Sequence, residues 1–383
     1  MEVLIGILIL FPITILFLTS LINSLFGPKL NKKIVPENYP KVSVLIPARN
    51  EEKNISNSLE SMMEQDYPDM EIIVLDDSST DSTSQIVSKL QQEDRRIRLI
   101  KGKELPEGWL GKNWACHQLA QEAKGEILIF TDADNFYKPY AVSNTVGRMQ
   151  KHGLDFLSAF PQQVTVSFFE RLIVPLIDMI IYSFFILWSS YYIKWNIFAA
   201  ANGQWIAVKK EAYFSTGGHK KLRKKIVEDT AMSRLFKKND YRTLTTAGTG
   251  VIFGRMYTSL DEIWQGLTKN LFSLMSGSVF GFIIFFTALT LSSILPYFFF
   301  LFDDLQPYLI AALVLNLLWR WVLCYNFRHT FFDTVVLHPV SILFLLAIWI
   351  NSLIQSKFGI IKWKDREINL QEFNKIADEK TKI

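Results

Sequence analysis

The sequence predicts an α/β domain built on a parallel sheet, with apolar segments at both ends of the chain that are long enough to enter a membrane. Between residues 41 and 131, short β-rich runs alternate with helix-like stretches, which indicates βαβ units. The apolar run 127–130 leads straight into two aspartates, as expected of a buried strand whose carboxyl end binds a ligand. Residues 3–25 are almost wholly apolar, and further apolar segments follow residue 270.

Length, charge and cysteine usage narrow the class of protein. The chain has 383 residues, enough for one catalytic domain and a membrane part. Its formal net charge of +4 is weak, so we expect no nucleic-acid partner. Cys116 and Cys324 lie far apart and show neither a disulfide framework nor zinc-site spacing, which fits a reducing compartment.

The first apolar segment is predicted to be a transmembrane anchor over residues 1–28. An acidic residue precedes it and no small-residue cleavage site follows, so an uncleaved anchor fits better than a signal peptide. Lys29, Lys32 and Lys33 flank its C-terminal side, and the positive-inside bias assigns that side to the cytosol. The domain that follows, residues 40–272, is therefore expected to be cytosolic.

Strands and helices alternate through the first half of this domain. We predict strands at 41–46, 71–75, 97–101 and 127–130, and helices at 55–65, 82–93 and 112–123.

Polar motifs follow three of these strands. They are Pro-Ala-Arg-Asn-Glu at 47–51, Asp-Asp-Ser-Ser-Thr-Asp at 76–81 and Asp-Ala-Asp at 132–134. Helix capping explains one acid of the second motif but not three. Asp132 and Asp134 need a compensating cation, and carboxylate oxygens suit Mg²⁺ or Mn²⁺, which in turn carry phosphates. Because aspartate is also common in solvated turns, the last motif alone leaves a plain turn open.

The three motifs together resemble those of the family 2 glycosyltransferases in order and spacing. The resemblance covers roughly residues 41–270 and implies a Rossmann-like GT-A fold that uses nucleotide-activated sugars. It implies that Asp77 contacts the uracil base, and that Asp132 and Asp134 hold the metal on the donor diphosphate. The donor-nucleotide site would comprise Pro47, Ala48, Arg49, Glu51, Asp77, Lys112 and Asp132.

The loop at 105–114 leads into the helix that begins near Lys112. A helix N-terminus and an ammonium both favour anions, so Lys112 is placed for a phosphate, with an ordinary solvated lysine as the alternative. The Gly-Trp-x-Gly-Lys pattern of this loop resembles a smaller branch of the family. That branch contains glycosyltransferases of carotenoid pathways and hopanoid-associated glycosyltransferases, which implies a lipid-like acceptor.

Residues 168–193 are strongly apolar and long enough to span a membrane. A crossing here would divide one active site between the two sides of the bilayer. Glu170, Arg171 and Asp178 also interrupt the run. We therefore expect a helix or helix pair on the membrane surface beside the acceptor entrance.

Glu228 and Asp229 begin a predicted helix, where acids are also favoured by the helix dipole. In family 2 enzymes the second acid of a Glu-Asp pair at this place is the catalytic base, and the resemblance implies this role for Asp229. An ordinary capping role is the alternative. Further candidates for contacts with the diphosphate or the acceptor are Glu228, Arg255, Trp264, Lys269 and Trp205.

Three apolar segments, 277–301, 308–325 and 335–356, close the chain as a predicted transmembrane bundle over 273–357. The Asp303-Asp304 turn lacks basic residues, which predicts the outer side.

A polar tail is expected at 358–383, and Lys362, Lys364 and Arg366 favour a cytosolic location for it. Three full crossings from the cytosol would leave the tail outside, so the number of segments and the charge bias conflict. Arg320 weakens the middle segment, and we expect that this segment, 308–325, does not cross cleanly.

The sequence thus predicts an inverting, multi-pass glycosyltransferase of the plasma membrane with a cytoplasmic catalytic domain and Mg²⁺ or Mn²⁺ as cofactor. It would transfer a sugar from a nucleotide-sugar, expected to be a UDP-sugar, to a lipid-like acceptor such as a carotenoid, hopanoid or polyprenyl compound. Processive members carry Gln-x-x-Arg-Trp, and its absence argues against a polysaccharide or other glycan synthase. Two different functions stay open: a nucleotidyltransferase, and a non-catalytic membrane scaffold with a vestigial nucleotide site.

Overall fold

The computed structural model describes residues 2–274, 279–358, 360–363 and 366–369. The chain divides into two compact units. The sheet unit comprises residues 27–164 and 187–256, and the helical unit comprises the segments 1–26, 165–186 and 257–383. The predicted domain over 40–272 was one continuous stretch, whereas the structure assigns two parts of it, 165–186 and 257–272, to the helical unit.

The strands and helices of the described residues follow in chain order. The strands are β1 Val42–Ala48, β2 Met70–Asp76, β3 Ile97–Lys101, β4 Ile127–Thr131, β5 Asn135–Tyr137, β6 Phe156–Phe160, β7 Gln162–Gln163, β8 Trp205–Lys209, β9 Thr243–Ala247, β10 Ile252–Gly254, β11 Ile360–Trp363 and β12 Arg366–Asn369. The α-helices are α1 Glu2–Phe26, α2 Ile55–Met63, α3 Thr83–Glu93, α4 Gly111–Glu122, α5 Ala141–Lys151, α6 Phe168–Ile173, α7 Pro175–Phe184, α8 Ser189–Tyr192, α9 Lys210–Thr216, α10 Gly218–Lys221, α11 Glu228–Lys238, α12 Leu260–Leu274, α13 Val279–Ser293, α14 Gln306–Phe327 and α15 His338–Phe358. Short 3₁₀ turns lie at Asn196–Phe198, Leu295–Leu301 and Asp303–Leu305, and a π-turn lies at Phe332–Val336.

The main sheet of the sheet unit has the strand order β3-β2-β1-β4-β8-β6-β9. β1 pairs in parallel with β2 and β4, and β2 pairs in parallel with β3, as the sequence predicts. β8 runs antiparallel to both β4 and β6, so the sheet is mixed rather than fully parallel. The direction of β8 is set by where the chain re-enters the sheet, and the residues of the strand itself do not encode it.

The core lies on both faces of this sheet because successive side chains of a strand point to opposite faces. Val44 and Ile46 of β1 pack in the cluster that contains Leu59 of α2. Leu45, between them, packs in the cluster that contains Leu119 of α4. All five residues of β4 are buried, which agrees with its prediction as a central strand.

A small second sheet, β5-β10-β7, positions the turn that contains Asp134. β5 begins directly after this turn, and Gly254 of β10 pairs with Asn135 of β5. A Cβ on Gly254 would lie 2.5 Å from Asn135 Oδ1 and 2.7 Å from Gln204 Nε2. Only glycine therefore allows β10 to pack this closely beside the end of β4.

Among the described residues, three helical segments of the helical unit are long and apolar enough to cross a membrane: Glu2–Phe26, Asp303–Phe327 and His338–Gln355. A fourth candidate is the pair Val279–Ser293 and Leu295–Leu301, which is bent by 48°. Pro296 follows the bend, and proline cannot donate the backbone hydrogen bond that a continuous helix needs.

The irregular segment is thus the first of the three C-terminal ones, whereas we expected the middle one. α14 is one continuous helix of 22 residues. Arg320, which weakens its apolar pattern, and the neighbouring Trp319 are both buried against the protein. Trp319 Nε1 donates to Ser183 Oγ at 2.9 Å, and Arg320 Nε donates to the Thr334 carbonyl at 3.0 Å. Their polar atoms therefore do not interrupt the exposed side of α14.

The predicted surface segment 168–193 forms α6, α7 and α8, of 6, 10 and 4 residues. We expected one helix or two, and each of the three is too short to span a bilayer. Most of the predicted polar tail at 358–383, including Lys364, lies outside the described residues. The part of the tail that is described contains β11 and β12, which pair in antiparallel fashion.

Candidate active site

The ends of β1 and β2 are joined by hydrogen bonds at one edge of the sheet. The Asp77 backbone N–H donates to the Ala48 carbonyl at 2.8 Å. Arg49 Nη1 donates to the Asp77 carbonyl at 2.9 Å and lies 3.9 Å from Asp77 Oδ2. Pro47 and Ala48 end β1, and Glu51 anchors the following turn through its backbone N–H. The structure therefore brings the first two predicted motifs together.

Two of the three acids in the second motif have local structural roles. Asp76 Oδ1 accepts the Ser79 backbone N–H at 3.0 Å. Asp81 Oδ1 accepts the Thr83 backbone N–H at 3.0 Å. These bonds hold the turn before α3 and leave Asp77 as the candidate of this motif for nucleobase contact.

The Asp-Ala-Asp motif follows β4 in a turn whose flanks are held by hydrogen bonds. Thr131 Oγ1 and Asn135 Nδ2 both donate to the Gln204 carbonyl, at 2.7 and 2.9 Å. Asp132 and Asp134 stand between these two anchors and are half-buried. The anchored turn fixes both carboxylates at the carboxyl end of β4, where the sequence predicts them.

Lys112 connects the Asp-Ala-Asp motif at 132–134 with the Glu228-Asp229 pair. Its Nζ lies 2.7 Å from Asp132 Oδ1 and 3.4 Å from Glu228 Oε1. Burial alone would lower the pKa of Lys112, but the two carboxylates outweigh it and raise that pKa well above its usual value. The side chain of Lys112 nevertheless keeps 41% of its surface exposed, so a ligand can reach the ammonium.

Asp229 is held in place by two backbone N–H groups. Gly203 donates to Asp229 Oδ2 at 3.0 Å, and Thr230 donates to Oδ1 at 2.6 Å. The Thr230 bond is local to the first turn of α11, but the Gly203 bond joins this turn to the loop before β8. Burial, followed by the neighbouring carboxylate of Glu228, raises the pKa of Asp229 to about 7. A carboxylate that ionises near neutral pH can act as a general base.

Gly203 and Gln204 are site residues that the sequence patterns did not single out. A Cβ on Gly203 would lie 3.2 Å from Lys112 Nζ and 3.5 Å from Glu228 Oε1, so glycine leaves room between the two charged groups. Gln204 Nε2 donates to Asn135 Oδ1 at 3.0 Å and thereby links β8 to the strand after the Asp-Ala-Asp turn. The sequence signal that could have indicated Gly203 and Gln204 is the polar, glycine-containing run 202–204 directly ahead of an apolar strand.

The residues present fit a divalent cation whose coordination is completed by substrate phosphates and water. The described residues hold no cluster of three or more histidine, cysteine, aspartate or glutamate side chains suited to a metal. Asp132 and Asp134 supply hard carboxylate oxygens, and Asp132 already accepts a cation, the Lys112 ammonium. Mg²⁺ is commonly bound through one or two carboxylates together with substrate phosphates and water.

The structure corrects one predicted contact and leaves others as predictions. Trp205 is fully buried on β8 and its Nε1 donates to Thr145 Oγ1 at 3.1 Å, which excludes the predicted contact with diphosphate or acceptor. Its place in the strand points it into the core. Arg255 directly follows β10, the strand paired with β5, and is half-buried. Trp264 and Lys269 lie on α12 in the helical unit, so their predicted roles stay predictions.

Comparison with known proteins defines the class. Residues 43–197 match the sequence model described as glycosyl transferase family 2. The chain therefore carries a family 2 domain on a GT-A fold, and it is a glycosyltransferase, as its motifs predict.

The whole chain is also similar to particular enzymes. It is 26% identical over 370 residues to 4,4'-diaponeurosporenoate glycosyltransferase of Staphylococcus aureus (strain USA300). This match covers 90% of this chain and 92% of the relative. Among solved structures, the mannosyltransferase PcManGT from Pyrobaculum calidifontis, in complex with GDP-Man and Mn²⁺, matches with a TM-score of 0.56 at 18% identity. That match covers 93% of this chain and 98% of the mannosyltransferase, and it shows the common fold.

Proposed function

We propose that this protein is an inverting glycosyltransferase that transfers a sugar from a UDP-sugar to a lipid-like acceptor at the plasma membrane. The observation that carries the proposal is the contact of Lys112 with both Asp132 and Glu228, next to Asp229. It joins the predicted donor motif to the predicted base in one cluster. A nucleotidyltransferase has no need for the Glu228-Asp229 part of this cluster.

The donor would bind along the ends of β1, β2 and β4. Asp77, beside Arg49, would recognise the base, and the backbone at 47–51 would seat the nucleoside. Lys112 at the start of α4 would contact the diphosphate, because an ammonium and a helix N-terminus both favour anions. Asp132 and Asp134 would hold Mg²⁺ or Mn²⁺, which when bound neutralises negative charge on the leaving group.

Asp229 would serve as the general base for a hydroxyl acceptor. The acceptor oxygen forms a bond to the anomeric carbon while the bond from that carbon to the diphosphate breaks, and the acceptor proton passes to Asp229. The Gly203 N–H would keep the Asp229 carboxylate oriented during this step. The name of the Staphylococcus aureus relative contains "-oate", which denotes a carboxylate. A carboxylate acceptor has no proton to lose, so Asp229 would then orient it.

The membrane part supports a lipid-like acceptor and a multi-pass topology. The described residues include three candidate spans and one bent pair. By the positive-inside bias, the lysines at 29, 32 and 33 after α1 support a cytoplasmic location for the sheet unit. Lipid acceptors would then be reached from the cytoplasmic leaflet.

The full chain in lipid nanodiscs would test this function with a panel of donors and acceptors. Thermal shift with UDP-sugars and GDP-sugars, each with and without Mn²⁺, identifies the donor; we expect a metal-dependent shift with a UDP-sugar. Mass spectrometry then detects the glycosylated product from a carotenoid acid, a hopanoid polyol or a polyprenyl phosphate. If no donor shifts the melting temperature and no nucleotide is released, the protein is a scaffold and the proposal fails.

A further inference from the structure

The direction of α14 relative to α1 can be read from side-chain contacts within the helical unit. Tyr308, near the start of α14, lies against Gly6, where an added Cβ would be 2.5 Å from the ring. At the other end, one residue of α7 contacts both helices: Asn23 Nδ2 donates to the Tyr182 carbonyl at 2.8 Å, and the Tyr182 ring stacks on Phe327 at 4.0 Å. The two helices therefore run in the same direction, and both end on the same side of the membrane.

Chain connectivity assigns the sheet unit to that side. The sheet unit begins at residue 27, directly after α1, and its second part ends at residue 256, just before α12. The segment 165–186 between its two parts contains α6 and α7, each too short to cross the membrane. α14 starts on the opposite side, so the bent pair formed by α13 and Leu295–Leu301 must cross the membrane rather than turn back within it.

α15 begins near the end of α14. The ring of His338, its first residue, lies 5.8 Å from the ring of Trp319. The π-turn just before it accepts a hydrogen bond from Arg320 Nε at the Thr334 carbonyl, at 3.0 Å. Trp319 and Arg320 are seven or eight residues from Phe327, or about 10 to 12 Å along the helix. The start of α15 is therefore nearer to the sheet unit's side of the membrane than to the opposite side.

The later part of α15 is tied to the same side. Asn351 Nδ2 donates to Thr268 Oγ1 at 3.0 Å, and Ser352 Oγ donates to the Thr268 carbonyl at 2.5 Å. Thr268 lies on α12, ahead of the first C-terminal crossing. Trp349 packs at 4.3 Å against Phe285 in the second turn of α13. Thirteen residues separate positions 338 and 351, about 20 Å of helix, which is short of the roughly 30 Å hydrocarbon layer.

The surface that α15 exposes is a single apolar stripe. Its members recur at intervals of three and four residues and are all exposed: Val340, Leu343, Ala347, Ile350 and Ile354. Residues between them, such as Ile342, Leu345 and Trp349, are buried. The helix thus packs one side on protein and presents an apolar side that needs a lipid environment.

We propose that α15 does not span the membrane but lies in the interface on the sheet unit's side, with this stripe in the acyl region of that leaflet. The partner is the lipid leaflet itself. The crossings are then α1, the bent pair and α14, and the chain after α15 is on the sheet unit's side, which removes the conflict between the number of segments and the charge bias. The inference rests on the proposed membrane insertion but not on the transfer reaction.

Spin-label depth measurements on the full chain in nanodiscs separate the two orientations. Leu343→Cys and Ile350→Cys are seven residues apart on the stripe, and native Cys116 and Cys324 are replaced by alanine in every variant. For a helix in the interface, oxygen and nickel-complex accessibility should give both labels nearly the same depth. A spanning α15 would separate them by about 10 Å and overturn the proposal. The matched pair Val314→Cys and Trp321→Cys, also exposed and seven residues apart, should show that 10 Å difference on α14.

Maleimide labelling in oriented vesicles gives a second readout. Lys124→Cys reports the sheet unit, Asp304→Cys reports the start of α14, and Glu379→Cys reports the chain after α15. We expect Lys124→Cys and Glu379→Cys to label from one side and Asp304→Cys from the other. Labelling of Glu379→Cys together with Asp304→Cys contradicts the proposal for α15. Labelling of all three from one side would instead refute the multi-pass insertion.

Discussion

Both units of this protein contain buried or half-buried pairs of polar side chains, but the two sets differ in solvent access. In the sheet unit, Lys112 bridges Asp132 and Glu228 and remains 41% exposed at the ends of the strands. In the helical unit, Asp178 and His329 are joined at 2.9 Å and each exposes only 3% of its side chain. The first set is accessible to a ligand, whereas the second set joins α7 to the segment after α14 and is closed to solvent. Solvent access therefore separates the candidate site from a structural contact with similar chemistry.

The largest effect is expected from Asp229→Asn, which keeps the size of the side chain but removes the basic carboxylate. The amide oxygen can still accept one of the two backbone N–H bonds, from Gly203 or from Thr230. For a hydroxyl acceptor, turnover should fall roughly hundredfold to ten-thousandfold, the usual contribution of a general base. Calorimetric affinity for UDP should stay nearly constant. Asp240→Asn, at an exposed pair with Lys194, is the control and should leave turnover unchanged. A normal turnover in Asp229→Asn would remove this residue from the reaction.

The helical pair should respond in stability rather than in turnover. His329→Ala leaves the buried Asp178 side chain without its histidine partner, and a buried polar group that loses its hydrogen-bond partner costs roughly 1 to 3 kcal/mol of stability. We expect a lower melting temperature in detergent, while turnover per folded molecule stays at the parent value. A variant that melts normally but turns over slowly would place this pair in the reaction instead, and the contrast with Lys112 would fail.

Lys112→Met should weaken donor binding because it removes the ammonium but keeps the length of the side chain. Hydrogen bonds to charged groups contribute roughly 1.5 to 3 kcal/mol, which corresponds to about a tenfold to hundredfold loss of nucleotide-sugar affinity. Lys124→Met, on the exposed surface after α4, is the matched control. Equal affinities in titration calorimetry for parent and Lys112→Met would show that this lysine only neutralises the two acids.

The smallest effect expected is a dependence of turnover on pH. Burial and Glu228 raise the pKa of Asp229 to about 7, so the ionised base forms as the pH rises through that value. With a hydroxyl acceptor, turnover per donor-saturated enzyme should increase about tenfold per pH unit below 7 and level off above 8. The profile of Asp229→Asn should lack this limb. If the limb persists in the variant, another group is responsible for it.

Local patterns in the sequence were sufficient for much of the fold. The strand from 127 and the helix near 112 were predicted to within a residue or two, because an apolar run and a glycine-marked loop are short-range signals. The three polar motifs were assigned to strand ends for the same reason, and the structure joins the first two through the Asp77–Ala48 bond. The family 2 domain that these motifs resemble is matched over residues 43–197.

Tertiary structure alone decided the features that depend on distant parts of the chain. Trp205 was a candidate for the site until its indole was found bonded to Thr145 in the core. The Gly203 N–H reaches Asp229 across 26 positions of sequence, a pairing that no local pattern encodes. α15 has the length and apolarity of a membrane span, and the proposal that it stays on one side rests on contacts with distant residues such as Thr268 and Trp319. Composition sets whether a helix prefers lipid, but the contacts at its two ends determine whether it crosses.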